Sequence, residues 1–308
     1  MSPRLAVLAV MGSAILFSGK GVLIKLAFIH GASVWLFMAL RMAYAFPLFL
    51  FLWFRAEKKA QAMGLPAFGK REWGIAAVLG LMGYYFAGLL DMSGLQYISA
   101  GMERLILYTH PSMVVLFGVL FRGHRVGKPL FAALFLSYAG LWLAFGEEAH
   151  ATQGHWVWVG CLLVFGSALC YAFFLIMSGE TLRKLGSDRL FIAGMLVCTG
   201  AVFIQSLFFV DAPEWFANGQ IHRYALLVAV LGTVAPTVLL GRGLYAIGAE
   251  RAAVLGMVGP VFTLFFGHLV LTEPLNWKNA GGLGLTLVGG WILSRERKAL
   301  TVSQSSPK

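Results

Sequence analysis

Long runs of apolar residues, broken by short polar segments, dominate the chain. They fall at 5–28, 32–54, 73–95, 101–121, 128–146, 156–179, 189–210, 222–247, 251–272 and 277–294. A helix needs about 20 apolar residues to cross the hydrocarbon core of a bilayer. These runs have that length and lack the period-2 alternation of barrel strands. Only helices and closed barrels satisfy their backbone groups in lipid. The pattern therefore predicts an all-α integral membrane fold of ten transmembrane helices. Composition agrees: 59% of the 308 residues are hydrophobic, 12% are charged, and the mean hydropathy is +0.79. Soluble domains carry about a quarter charged residues. The first run follows Arg4 without a cleavage site and reads as a retained helix.

The net charge of +11 acquires meaning from its placement, not from nucleic acid. With the N-terminus inside, 18 of the 24 Lys and Arg residues fall in inner segments, among them Arg55, Lys58, Lys59, Arg122, Arg125, Arg183, Lys184 and Arg295. Arg104, Arg223 and Lys278 fall outside, and Lys20, Lys25 and Arg41 lie within spans. Cytoplasmic loops retain cations, so both termini are expected in the cytoplasm of an inner-membrane, multi-pass protein.

The chain also repeats itself. Written above Gly243–Leu293 at an offset of 149, Gly94–Ala144 matches at roughly a dozen positions, including Pro111 on Pro260, Gly140 on Gly289 and Trp142 on Trp291. Gly12-Ser13-Ala14 aligns with Gly166-Ser167-Ala168 at an offset of 154. The expected domains are a five-helix repeat over 1–150, a second over 151–296 and a polar cytoplasmic tail over 297–308. Five is odd, so the second copy enters the membrane inverted. Inverted repeats place substrate near the midplane between the halves and support alternating access.

Certain residue runs carry a family likeness: Lys25-Leu26-Ala27, Leu40-Arg41, Gly94-Leu95 through Ser99-Ala100, His110-Pro111, Gly248-Ala249-Glu250-Arg251-Ala252-Ala253, Gly259-Pro260 and Leu271-Thr272-Glu273-Pro274-Leu275. Through them nearly the whole chain resembles the drug/metabolite transporter superfamily, EamA type. The family's Gly-Glu after helix 9 is here Thr272-Glu273, and after helix 4 it is Gly123-His124. The tryptophan frequent in the family's first helix is absent. Lys20, Asp91 and Glu103-Arg104 look like a subgroup signature. The resemblance implies transport of a small molecule such as an amino acid, purine, sugar, phosphorylated metabolite or drug, and no cofactor.

Charges in the spans are the candidate site. A charge at the bilayer centre costs about 2.5–3.5 kcal/mol on lenient scales and faces a partner or a wet cavity. From the helical rise, Lys20 and Arg41 lie at similar depth, about 5 Å outside the midplane, with Asp91 about 10 Å outside it. Lys20 and Arg41 either bind an anionic group or pair with Asp91 or Glu103. His110, near the centre of helix 4, is either a titrating group or a hydrogen-bonded core histidine. Tyr84 and Tyr108 are candidate substrate contacts, as are Tyr85, Tyr138 and Tyr171; each is equally a packing residue. Asp91, Glu103 and Arg104 at the outer end, and Arg242, Glu250 and Arg251 at the inner end, form candidate ion-pair gates. Pro111, Pro236 and Pro260 mark candidate kinks, since proline frees a carbonyl. Lys25 reads as reaching for the interface.

Cys161, Cys170 and Cys198 lie in apolar runs and show neither metal-ligand nor disulfide spacing. There is no His-Glu-x-x-His, nucleophile elbow or phosphate loop, which argues against an intramembrane enzyme. A non-transporting scaffold remains the other contrasting class. The expectation is a secondary transporter exporting amino acids or related amphipathic metabolites, with anionic metabolites as the alternative. Its partners are a small substrate and the bilayer, not nucleic acid.

Overall fold

The computed structural model describes residues 3–64, 66–110, 112–114, 116–117, 131–132, 135–136, 138–143, 156–185, 187–216, 218–240, 255–256, 258–274 and 276–305. Among them every regular element is helical. We number the helices α1 (Pro3–Ile29), α2 (Val34–Ala62), α3 (Lys70–Leu95), α4 (Ala100–Leu107 and the helical residues beyond it), α5 (the helical residues at 131–132, 135–136 and 138–143), α6 (Trp156–Leu185), α7 (Ser187–Phe209), α8 (Gly219–Leu240), α9 (Gly259–Leu271) and α10 (Trp277–Ser305). Among the described residues six of them, α1, α2, α3, α6, α7 and α8, carry apolar stretches long enough to cross a membrane. The outer surface is correspondingly apolar: Leu207 and Phe208 are 81% and 77% exposed. In water such a surface would aggregate; in a bilayer it is solvated.

Two boundaries move from the sequence reading. α2 continues past 54 to Ala62, and α10 continues past 294 to Ser305, through the stretch assigned to a polar tail. Charged residues do not stop a helix. Ala56–Ala62 and Arg295–Leu300 consist of good helix formers without proline or glycine.

The two halves interleave. α3 packs on α6 as α8 packs on α1; α3 on α7 as α8 on α2; and α4 on α6 as α9 on α1. α2 and α7 pack on each other, as do α4 and α9. Exchanging the halves therefore maps this contact pattern onto itself. α2 and α7 run in opposite directions: Trp35 at the start of α2 stacks on Phe209 at the end of α7, ring centroids 4.6 Å apart, while Glu57 near the end of α2 meets Arg189 near the start of α7. The repeat also reappears in local backbone. Leu81–Phe86 in α3 and Val230–Val234 in α8 are π-helical, and Leu81 and Val230 are separated by the same 149 residues as the sequence repeat. Such π turns often mark functional sites.

Small residues permit the close crossings that membrane helices rely on. A Cβ on Gly80 of α3 would strike the Gly194 backbone of α7, and one on Gly94 would reach the Gly160 carbonyl of α6 at 2.7 Å. α3 is thereby clamped between α6 and α7, with its Tyr84-Gly88-Asp91 face turned to the centre. Those positions follow i, i+4, i+7 spacing on one helix face.

Candidate functional site

The centre of the bundle holds an unusual concentration of charge. Lys20 Nζ of α1 donates to Asp91 Oδ2 of α3 at 2.9 Å, so Lys20 has an acidic partner rather than a bare ammonium. Asp91 and Glu103 of α4 lie within side-chain hydrogen-bonding reach of each other, and both are buried. Arg104 Nη2 donates to the Phe17 carbonyl at 2.7 Å, with its Nε 4.0 Å from Glu103. Asp91 Oδ1, Glu103 Oε2 and Arg104 Nε are enclosed without hydrogen-bond partners. Gly21 makes room for Glu103: a Cβ there would stand 3.2 Å from Oε2.

Arg41 of α2 stands apart from this pairing. It is 5% exposed, its Nε is enclosed without a partner, and among the described residues it makes no ion pair or hydrogen bond. Its guanidinium faces Gly88, where a Cβ would lie 3.6 Å from Nη2, and it feels the charge of Asp91 one helical turn along. Lys20 and Arg41 are thus drawn to the same acidic residue, but only Lys20 bonds to it. Leaving a buried charge unpaired typically costs several kcal/mol.

A row of rings leads away from this point. Tyr84, one turn from Gly88, lies 5.1 Å from Phe174; Phe174 stacks on Tyr171 at 5.8 Å; Tyr171 meets His110 at 5.3 Å; and His110 meets Tyr108 at 6.3 Å. The candidates Tyr84, Tyr108 and His110 are therefore joined through two α6 residues. Among the described residues the hydroxyls of Tyr84 and Tyr171 make no hydrogen bond.

The helix breaks behind the row have a chemical cause. Pro111 lies outside the described residues, but as a proline it offers no N–H to the carbonyl four residues earlier, Leu107. His110 Nδ1 lies 2.7 Å from that carbonyl, and α4 opens into a turn at 108–109. Pro260 likewise frees the Gly256 carbonyl, which accepts from the Tyr108 hydroxyl at 2.6 Å. Leu107 and Gly256 are repeat equivalents, and both freed carbonyls are served by side chains of α4. Pro236 follows the π turn of α8, and its carbonyl accepts from Ser13 Oγ at 2.9 Å. The inner candidates Arg242, Glu250 and Arg251 lie outside the described residues, as does the loop at Glu147-Glu148.

Three polar residues, Glu57, Arg189 and Gln205, were not singled out by sequence, and a fourth, Glu273, was noted only within a family motif. Arg189 grips Glu57 with two nitrogens at 3.0 Å each, donates to the Pro66 carbonyl and lies over the Phe68 ring at 5.3 Å. Glu273 caps the start of α4, accepting from the Ala100 and Gly101 amides at 2.9 and 3.4 Å, with Lys25 Nζ 3.7 Å away. Lys25 therefore has an acidic partner, and the carboxylate complements the positive end of the helix. Gln205 of α7 is buried with neither amide atom paired. The spacing of these residues along the chain gave no signal, since each partner comes from a distant helix. Among the described residues no cluster of His, Cys, Asp and Glu is arranged to hold a metal ion.

An apolar helical shell around a charged, aromatic-lined centre, built from two interleaved repeats, defines a polytopic membrane transporter. The chain matches the EamA-like transporter family over residues 4–146 and again over 158–295, and it belongs to that family. It is 32% identical over 281 residues to the uncharacterized transporter YcbK of Bacillus subtilis (strain 168), covering 87% of this chain and 86% of that one. It is 24% identical to a WAT1-related protein of Arabidopsis thaliana, over 97% and 92% of the two chains. A known crystal structure with 16% identity has a TM-score of 0.63 and covers 99% of this chain and all of its own, a likeness of fold alone.

Proposed function

We propose that the protein is a secondary transporter that carries a small metabolite across the cytoplasmic membrane by alternating access, its two five-helix repeats being inverted. The antiparallel course of α2 and α7 carries this reading. An axis along the membrane normal would leave these equivalent helices parallel; an axis in the membrane plane reverses them, as in inverted-repeat transporters. The substrate site is built on Arg41, Tyr84 and the rings beyond. On the inner side the Glu57–Arg189 pair closes the approach, and on the outer side Glu273 joins the start of α4 to Lys25. These contacts form and break in turn as the site changes sides. Lys20 and Asp91 fix α1 against α3 beside the site. A scaffold role gives no reason for a buried arginine without a partner.

The test is transport itself. Proteoliposomes are loaded with a mixed metabolite extract, and the compounds that leave are identified by mass spectrometry. At least one should leave faster than from protein-free liposomes; none doing so refutes the transporter reading.

A further inference from the structure

The central charges do not balance. Lys20, Arg41 and Arg104 contribute three positive charges, and Asp91 and Glu103, close enough to share a proton, contribute at most two negative ones. Lys20 takes Asp91 Oδ2, and Arg104 lies beside Glu103. Lys25 and Glu273, the charges next along the bundle, are matched to each other and to the α4 amides. The leftover charge is Arg41, the one cation of this group with neither an ion pair nor a hydrogen bond among the described residues. Its guanidinium stands against Gly88, which carries no side chain to hold it off, one turn from Tyr84. A guanidinium matches the geometry of a carboxylate with two parallel hydrogen bonds.

Resting on the transporter reading, we infer that the substrate is a small organic acid with a single carboxylate on an aromatic body. The carboxylate binds Arg41, and the body lies along Tyr84, Phe174, Tyr171 and His110. An ammonium group finds no such welcome. Lys20 and Arg104 already stand against Asp91 and Glu103, and the excess of cations over carboxylates repels a further positive charge. This separates a plain acid from the zwitterionic amino acid of the same skeleton.

The experiment uses a matched series on the purified full-length protein: 3-phenylpropanoate, phenylalanine and 3-phenylpropylamine. Binding is followed by the concentration-dependent shift of the melting temperature. The acid should shift it at concentrations at least ten-fold lower than the amino acid, and the amine should not shift it. Arg41→Gln should weaken the acid at least ten-fold while the ligand-free protein melts no lower than wild type. Arg41→Lys, which keeps the charge but loses the planar fork, should retain partial binding and show that the site is intact. Equal or tighter binding of phenylalanine or the amine overturns the inference, as does acid binding indifferent to Arg41→Gln, or no binding by any of the three. In each of those cases efflux of another compound from the loaded proteoliposomes leaves the transporter reading standing.

Discussion

Replacing Lys20 by methionine removes the ammonium 2.9 Å from Asp91 Oδ2 and leaves a carboxylate whose other oxygen is already enclosed without a partner. Stripping one member from a buried pair costs about 3–5 kcal/mol. Lys20 keeps 18% of its side-chain surface, so the lower end, about 3 kcal/mol, is the appropriate figure. The reverse change is milder. Asp91→Leu strands Lys20, but Glu103 stands close enough to take over part of its charge, and about 1–2 kcal/mol is expected. Removing both charges together should return the protein to within about 1 kcal/mol of wild type, because an apolar pair of similar volume replaces a buried ion pair at little cost. The coupling is then at least about 3 kcal/mol. At about 2 °C per kcal/mol for a chain of this size, Lys20→Met should melt about 6 °C low. Cys198 is fully buried and serves as the reporter. With Cys161 and Cys170 changed to alanine, a thiol-reactive dye reads unfolding in detergent through that single site. Additive single effects, with the double variant melting lowest of the three, would refute the pairing argument and make Lys20 a residue that acts on its own.

Arg189→Ala should destabilise the protein by about 2 kcal/mol through loss of charged hydrogen bonds. It should also raise labelling of a cysteine placed at buried Leu190 by an impermeant maleimide added to the inner face; unchanged labelling would separate the pair from closure. Gly80→Ala should destabilise by about 1–3 kcal/mol because its Cβ meets the Gly194 backbone. Gly74→Ala in the same helix meets nothing within 4 Å and should stabilise by about 0.5–1 kcal/mol; melting temperatures of equal sign would contradict the close crossing. Tyr108→Phe should cost about 1–3 kcal/mol by stranding the Gly256 carbonyl. Adding Pro260→Ala restores a backbone N–H and should recover part of that loss in the same melting assay.

Much of the architecture was legible in the chain because it depends on local quantities. The length of an apolar run sets whether a helix can cross a bilayer, and the six long apolar helices fall on six of the expected spans. The 149-residue offset was visible in Pro111 and Pro260, and it returned unaltered in the π turns at Leu81 and Val230, which share a glycine, Gly83 and Gly232, at that offset. Proline chemistry is equally local: a missing N–H names the carbonyl it frees, four residues back. What the sequence left open was pairing. Lys20 and Arg41 offered the same charge at the same depth, and either was a fit partner for Asp91. The decision came from the faces that interleaved helices present: α1 meets α3 with Lys20 turned to Asp91, whereas Arg41 on α2 reaches α3 one turn away, over Gly88. Glu57 and Arg189, 132 positions apart, were invisible as a pair for the same reason. Composition and periodicity determine that a helix is buried and roughly how deep its residues lie. Which side chain its neighbour offers at that depth is a property of the crossing, and the crossings are decided by glycines from distant parts of the chain that let two backbones touch.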